Sequence, residues 1–168
     1  MKHQDGLTLL ELLITLTIAG IMLSVGVPSF TQLLQYHRVE TSIDSLYKDL
    51  TYARQLAAAY QNSVTVCPLD NNNNCHNDWS NGYTIFVDAG TANQFNSASD
   101  ELLQTRAEFN EDDYLDAATQ YRFSSDGFVS NNTTIRYCAT AKDGNHKKEL
   151  TISVTGVIAK ATATSDCT

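Results

Sequence analysis

The sequence predicts an α+β protein. One long amino-terminal helix, membrane-spanning in its first half and amphipathic in its second, packs on a β-sheet-rich carboxyl-terminal domain. Three observations predict this. Residues 7–27 form a nearly uncharged apolar run, residues 29–61 carry apolar side chains at helical spacing, and from residue 63 short β-type runs alternate with polar turns. The chain has 168 residues, 42% hydrophobic and 18% charged. That composition supports one modest core and argues against global disorder, and the length leaves no room for a multidomain enzyme. Lys and Arg total 11 against 19 Asp and Glu, a net charge of -8. A chain this acidic repels phosphate backbones, which disfavours broad electrostatic binding of nucleic acid.

The first element begins at the amino terminus. Leu7 to Val27 carries a single charge, Glu11, and no proline, and about 20 apolar residues suffice to cross a bilayer as a helix. The short head Met1-Lys2-His3-Gln4-Asp5-Gly6 precedes it. A positive start followed by an apolar run has the order of a secretory signal. The run is longer than a signal core, however, and no small-x-small cleavage site follows between Val25 and Phe30. The segment is therefore expected to stay with the mature protein. Glu11 stands out in it, because a carboxylate at mid-bilayer costs roughly 2.5 kcal/mol or more. Either it lies at headgroup level, where the cost is small, or it marks function.

The string Gly6-Leu7-Thr8-Leu9-Leu10-Glu11 resembles the class III signal of type IV pilins and pseudopilins: a short polar leader ending in Gly, an apolar residue, then Glu four places later. In that family a membrane aspartyl peptidase, the prepilin peptidase, cuts after the Gly and methylates the new amino terminus. The resemblance implies a leader over residues 1–6, cleavage between Gly6 and Leu7, N-methylation of Leu7 and a transmembrane assembly helix over residues 7–28. Phe is the family's usual first mature residue, so Leu7 departs from the pattern. Pro28 sits where the family carries a helix-bending proline. Electrostatics supports the same assignment. Cleavage creates an ammonium at Leu7 that becomes buried when apolar helices bundle, and an unpaired buried charge is costly. Glu11 is the one acidic residue in the segment, so it is the candidate to neutralise a neighbour's terminus during assembly.

After Pro28 the residues Leu33, Tyr36, Val39, Ile43, Leu46, Leu50, Ala53, Ala57 and Tyr60 recur at steps of three and four. Arg38, Glu40, Asp44, Lys48, Asp49 and Arg54 fill mostly other faces, so the helix continues to about Gln61 with its stripe against a sheet. Gly20, Gly26 and Pro28 are expected points of bending. Strands are expected at Ser63–Cys67, Tyr83–Val87, Leu102–Ala107, Gln120–Ser124, Thr134–Thr140, Leu150–Val154 and Val157–Ala161. Within them, Trp79-Ser80-Asn81-Gly82-Tyr83 running to Phe86-Val87-Asp88, then Asp100-Glu101-Leu102-Leu103, is similar to the GspH/FimT group of minor pilins and pseudopilins. Phe123-Ser124-Ser125-Asp126-Gly127 and Ile135-Arg136-Tyr137-Cys138 continue the match. The resemblance implies the pilin fold, with residues 29–168 as a periplasmic or extracellular domain.

Cys67, Cys75, Cys138 and Cys167 all follow the membrane segment. An even count in an exported domain points to disulfides, with three pairings open. The favoured one closes the Asn-rich loop with Cys67–Cys75 and stitches the tail to a core strand with Cys138–Cys167. The alternative is a zinc site of Cys67, Cys75, His76 and His146, which lacks a tight Cys-x-x-Cys pair. The carboxylates Glu108, Glu111, Asp112, Asp113 and Asp116 lack EF-hand spacing and read as a solvated acidic loop. His3, His37, His76 and His146 are scattered, and no Gly-rich phosphate loop occurs. No enzyme activity, cofactor or metal is expected.

Nucleic-acid binding has little support. The FimT branch carries a Gly-Arg-x-Arg tail motif associated with DNA capture, and the corresponding stretch here is Gly156-Val157-Ile158-Ala159-Lys160, without either arginine. Lys142, Lys147 and Lys148 are expected in a hairpin loop, where they and Lys160 offer weak phosphate contact at most. The expected role is a minor pilin in type IV pilus assembly or tip formation, held in the inner membrane with its domain in the periplasm. Its partners would be other major and minor pilins, the prepilin peptidase and the inner-membrane assembly platform. The alternatives are a type II secretion pseudopilin and a FimT-like DNA-uptake pilin.

Overall fold

In the computed structural model, which describes residues 8–140 and 146–167, helix α1 (Leu9–Tyr60) runs unbroken through Gly20, Gly26 and Pro28. Fifty-two residues at 1.5 Å each give a rod of about 78 Å. Thr8 caps its start, its side-chain oxygen accepting the Glu11 amide at 3.3 Å, and Thr-x-x-Glu is the spacing of a capping box. Gln61 stops the helix in a left-handed conformation, φ +52°.

The strands are β1 (Val64–Cys67), β2 (Tyr83–Val87), β3 (Glu101–Arg106), β4 (Tyr114–Asp116), β5 (Tyr121–Phe123), β6 (Thr133–Cys138), β7 (Lys147–Ile152) and β8 (Ile158–Thr162). They form two four-stranded sheets, β3-β2-β1-β5 and β4-β6-β7-β8, antiparallel throughout. Val39, Ile43, Leu46, Leu50, Ala53 and Ala57 of α1 are buried against Val64, Val66, Ile85, Phe123, Ile135, Leu150 and Ile152 of the sheets. Trp79, Tyr83 and Tyr121 extend this core, with Trp79 about 5.5 Å between ring centroids from each tyrosine (5.4 and 5.6 Å). The Trp79 indole N–H donates to the Ala118 carbonyl at 2.9 Å. β1 and β2 are buried along every residue, Thr65 and Thr84 included, and the Thr65 hydroxyl donates to Asp88 at 2.7 Å.

Two glycines permit close approaches. Gly82 has φ +86°, and a Cβ there would meet the Arg106 carbonyl at 2.2 Å. Gly156 has φ +71°, and a Cβ would meet the Gly127 carbonyl at 1.9 Å. Arg54 crosses this second junction, its guanidinium donating to the carbonyls of Gly127 and Thr155.

The structure corrects several sequence-based expectations. The helical stripe is buried only in its middle: Leu33, Tyr36 and Tyr60 are exposed. Asp49, expected on an outer face, is buried in the sheet-facing side. The residues expected to be a solvated acidic loop include β4, a strand the sequence did not signal. Asp113 is almost fully enclosed, accepting from Arg38 and from the Tyr137 hydroxyl, and Asp116 pairs with Arg136. Lys147 and Lys148 belong to β7 and not to a loop. Lys142 lies outside the described residues, as do the cleavage residues Gly6 and Leu7.

Candidate functional site

Every residue from Thr8 to Leu34 is exposed, although most are apolar. Burying that surface is strongly favourable in a membrane or a helix bundle and unfavourable in water. Among the described residues α1 is the one helix long and apolar enough to cross a bilayer. Leucine, a strong helix former, is the commonest residue there, and Thr15, Thr17, Ser24 and Thr31 satisfy their hydroxyls by donating to carbonyls three residues earlier. The Glu11 carboxylate sits in the first turn, exposed and without a partner among the described residues. A negative charge is electrostatically favourable at that end of a helix.

Ion pairs fix how the domain sits on the rod. Asp49 lies at the centre: its carboxylate accepts from Arg106 Nε and Nη2 at 2.6 and 2.7 Å and from the Tyr83 hydroxyl at 2.6 Å. Burial and this bond to a carboxylate both push the Tyr83 hydroxyl well above its ordinary pKa. Nearer the membrane segment, Arg38 holds Asp113 at 2.7 Å. Along the other flank Lys148 pairs with Glu40 at 3.3 Å and Lys160 with Asp44 at 2.5 Å, and Lys160 also covers the Tyr47 ring. The Lys160 contact holds the Asp44 carboxyl below its usual range. Such contacts, spread along the lower two thirds of the buried stripe, couple rod and domain into one body. Helical spacing placed Asp44 and Lys48 mostly off the apolar stripe but did not reveal which charges would pair.

The remaining candidate residues fall at both ends of the domain. Cys67 is bonded to Cys75, and Cys138 to Cys167. The first closes the loop in which Asp70 accepts the Asn72 and Asn74 amides; the Asn74 amide chiefly keeps the Asp70 carboxyl below its ordinary range. The second ties the tail beneath β6. With all four sulfurs in disulfides, the cysteines offer no thiolate to zinc. His76 accepts the Asp78 amide, and His146 lies against Tyr36, so the structure gives the histidines local roles. Lys147 pairs with Asp166 of the tail. The three described lysines that sequence offered for phosphate contact are therefore each paired to an acid of the same chain.

Comparison with known proteins places this architecture. Residues 42–156 match the family model described as type II transport protein GspH, and residues 1–27 match the prokaryotic N-terminal methylation motif. No protein of curated function matches the chain in sequence. The fold is similar to the crystal structure of the type IV minor pilin FimU of Pseudomonas aeruginosa, with a TM-score of 0.59 and 19% identity over 77% of this chain and 95% of that one. It is also similar to the minor pseudopilin EpsH from the type 2 secretion system of Vibrio cholerae, at a TM-score of 0.56 and 15% identity over 74% and 97%. The family consists of structural subunits that assemble with other pilins or pseudopilins, and the apolar helix with its methylation motif is a membrane anchor. A half-bare apolar rod locked into a two-sheet domain, the methylation motif and the match over residues 42–156 together make this chain a member of the GspH family of minor pilins and pseudopilins.

Proposed function

We propose that this chain is a non-enzymatic minor pilin that enters a type IV pilus through the exposed half of α1. The observation that carries the reading is the uncovered surface from Thr8 to Leu34 on a rod whose other half is locked in the domain. In this reading residues 1–6 are a leader, the prepilin peptidase cuts between Gly6 and Leu7 and methylates Leu7, and residues 7–28 hold the subunit in the inner membrane. Residues 29–168 then stand in the periplasm until the assembly platform moves the subunit into a filament at the cell surface. Glu11 meets the ammonium of a neighbouring subunit, because an ionised terminus within packed apolar helices needs a counter-charge.

A type II secretion pseudopilin is the second reading, favoured by the description of the matching family. DNA uptake is a weaker third, because Lys147, Lys148 and Lys160 are paired with Asp166, Glu40 and Asp44.

Processing and assembly are tested together. Intact-mass analysis of the membrane-bound protein is expected to show a chain beginning at methylated Leu7, and Gly6→Ala is expected to leave the full precursor. Glu11→Ala should remain processed and folded yet be depleted in filaments sheared from cells. A mature chain beginning elsewhere, or undiminished Glu11→Ala in filaments, would count against the proposal.

A further inference from the structure

The two sheets leave a gap. β5 ends one sheet and bonds only to β1. In the other sheet β4 covers β6 only over Arg136, Tyr137 and Cys138, so among the described residues Thr133, Thr134 and Ile135 have β7 on one side and no strand on the other. The open edge of β5 and the start of β6 at Thr133 border one cleft, walled by residues 118–122 and 129–133. It continues past Arg122 and Ser124 to Ala92 and Asn93 of the β2–β3 loop. Among the described residues, no main-chain bond outside the strand ladders reaches residues 120–123 or 130–135. An open strand edge presents N–H and C=O groups in a row, which is a template for another strand.

The chemistry of the cleft narrows the occupant. Tyr121 and Phe123 turn inward and are buried, so Arg122 faces out. The walls carry hydroxyls and amides from Thr119, Gln120, Ser130 and Asn131, which do not suit an apolar helix. Arg122 donates through Nε to Asp88 at 2.8 Å and through Nη2 to the Asp88 carbonyl. Its Nη1 makes no hydrogen bond among the described residues, and the side chain is 39% exposed. A carboxylate on an incoming strand, directly across from Arg122, would complete a favourable cross-strand pair.

We propose that this cleft receives one extended segment of a neighbouring pilin subunit, added as a strand beside β5 with an acidic side chain against Arg122. The inference rests on the filament membership proposed above. The test compares amide hydrogen exchange of the full chain in sheared filaments with that of the same chain isolated from the membrane in detergent. Peptides spanning residues 119–124 should exchange roughly 10-fold more slowly in filaments, as expected for newly bonded strand amides, while those of β7 stay unchanged. Asn131→Trp, which fills the cleft from an exposed position, should remain in the membrane and lose most of its filament incorporation. A chain present in filaments with residues 119–124 exchanging as fast as in detergent would overturn strand addition and leave membership standing. A wild-type chain absent from filaments would overturn membership and this inference with it.

Discussion

At the scale of single residues, the Asp49–Arg106–Tyr83 cluster shows how burial decides the cost of a charge. Asp49 is almost completely enclosed, with 4% of its side chain exposed, whereas Arg106 retains 41%. Removing the arginine strands a buried carboxylate, whereas removing the acid leaves a guanidinium that water can reach and a buried Tyr83 hydroxyl without its acceptor. Arg106→Ala is therefore expected to destabilise by about 3 kcal/mol, and Asp49→Leu by about 2 kcal/mol, in urea unfolding of the same chain. Equal effects would show that the pair is energetically symmetric. The buried tyrosines add a pH dependence. Desolvation pushes the Tyr121 hydroxyl up to about 12, and it raises Tyr83 and Tyr137 as well. Their folded pKa values lie above the unfolded value of 10.0, so their contribution is complete below pH 10.0 and declines as pH rises towards the folded values. Absorbance titration should show these three phenols ionising only with loss of the fold.

At the scale of elements, the two disulfides constrain segments of different length. Cys138–Cys167 spans 29 residues and Cys67–Cys75 spans 8. Chain entropy makes the longer closure worth roughly 3 to 4 kcal/mol and the shorter about 2.5 kcal/mol. Cys167→Ser should accordingly lower the thermal midpoint more than Cys75→Ser, measured by circular dichroism on chains otherwise oxidised. It should also release the tail that Lys147 and Asp166 help to hold. The reverse order would indicate that the Asn-rich loop is the more strained part of the unfolded ensemble. Helix α1 is an element with two environments. Its burial by the sheets ends near Val39; just below, Arg38 and Tyr36 still touch the domain, and from Leu34 back to Thr8 every residue is exposed.

At the scale of the whole molecule, charge bears on function. The residues from Ser29 onward hold 10 basic and 17 acidic groups, a net of -7. Lys147, Lys148 and Lys160 serve intramolecular pairs, so phosphate contact would first have to break them. Duplex DNA is therefore expected to bind no more tightly than about 10⁻⁴ M in physiological salt. A gel-shift titration checks this. Micromolar binding that is abolished by Lys147→Glu with Lys148→Glu would favour the DNA-uptake reading.

Much of this architecture is local and so was legible in the sequence. A 3.6-residue period, an uncharged run, β-branched segments between polar turns and the Gly6-to-Glu11 string depend on neighbours along the chain, and they marked the rod, seven of the eight strands and the membrane anchor. β4 escaped notice because Tyr114-Leu115-Asp116 is three residues among acids, and its strand character comes from pairing with β6. Asp49 and Asp113 read as solvent-facing because a helical wheel or a charge run does not reveal a distant arginine. The approach of Arg106 and Arg38 makes their burial tolerable. The lysines of β7 likewise acquired their roles only when the sheet brought them to Glu40 and Asp166. Short-range pattern determined which segments are helix and strand. Long-range packing decided which charges are buried, which strand edges stay open and which cations remain free to meet a partner, because each of those depends on groups far apart in the chain, from 19 residues for Lys147 and Asp166 to 116 for Lys160 and Asp44.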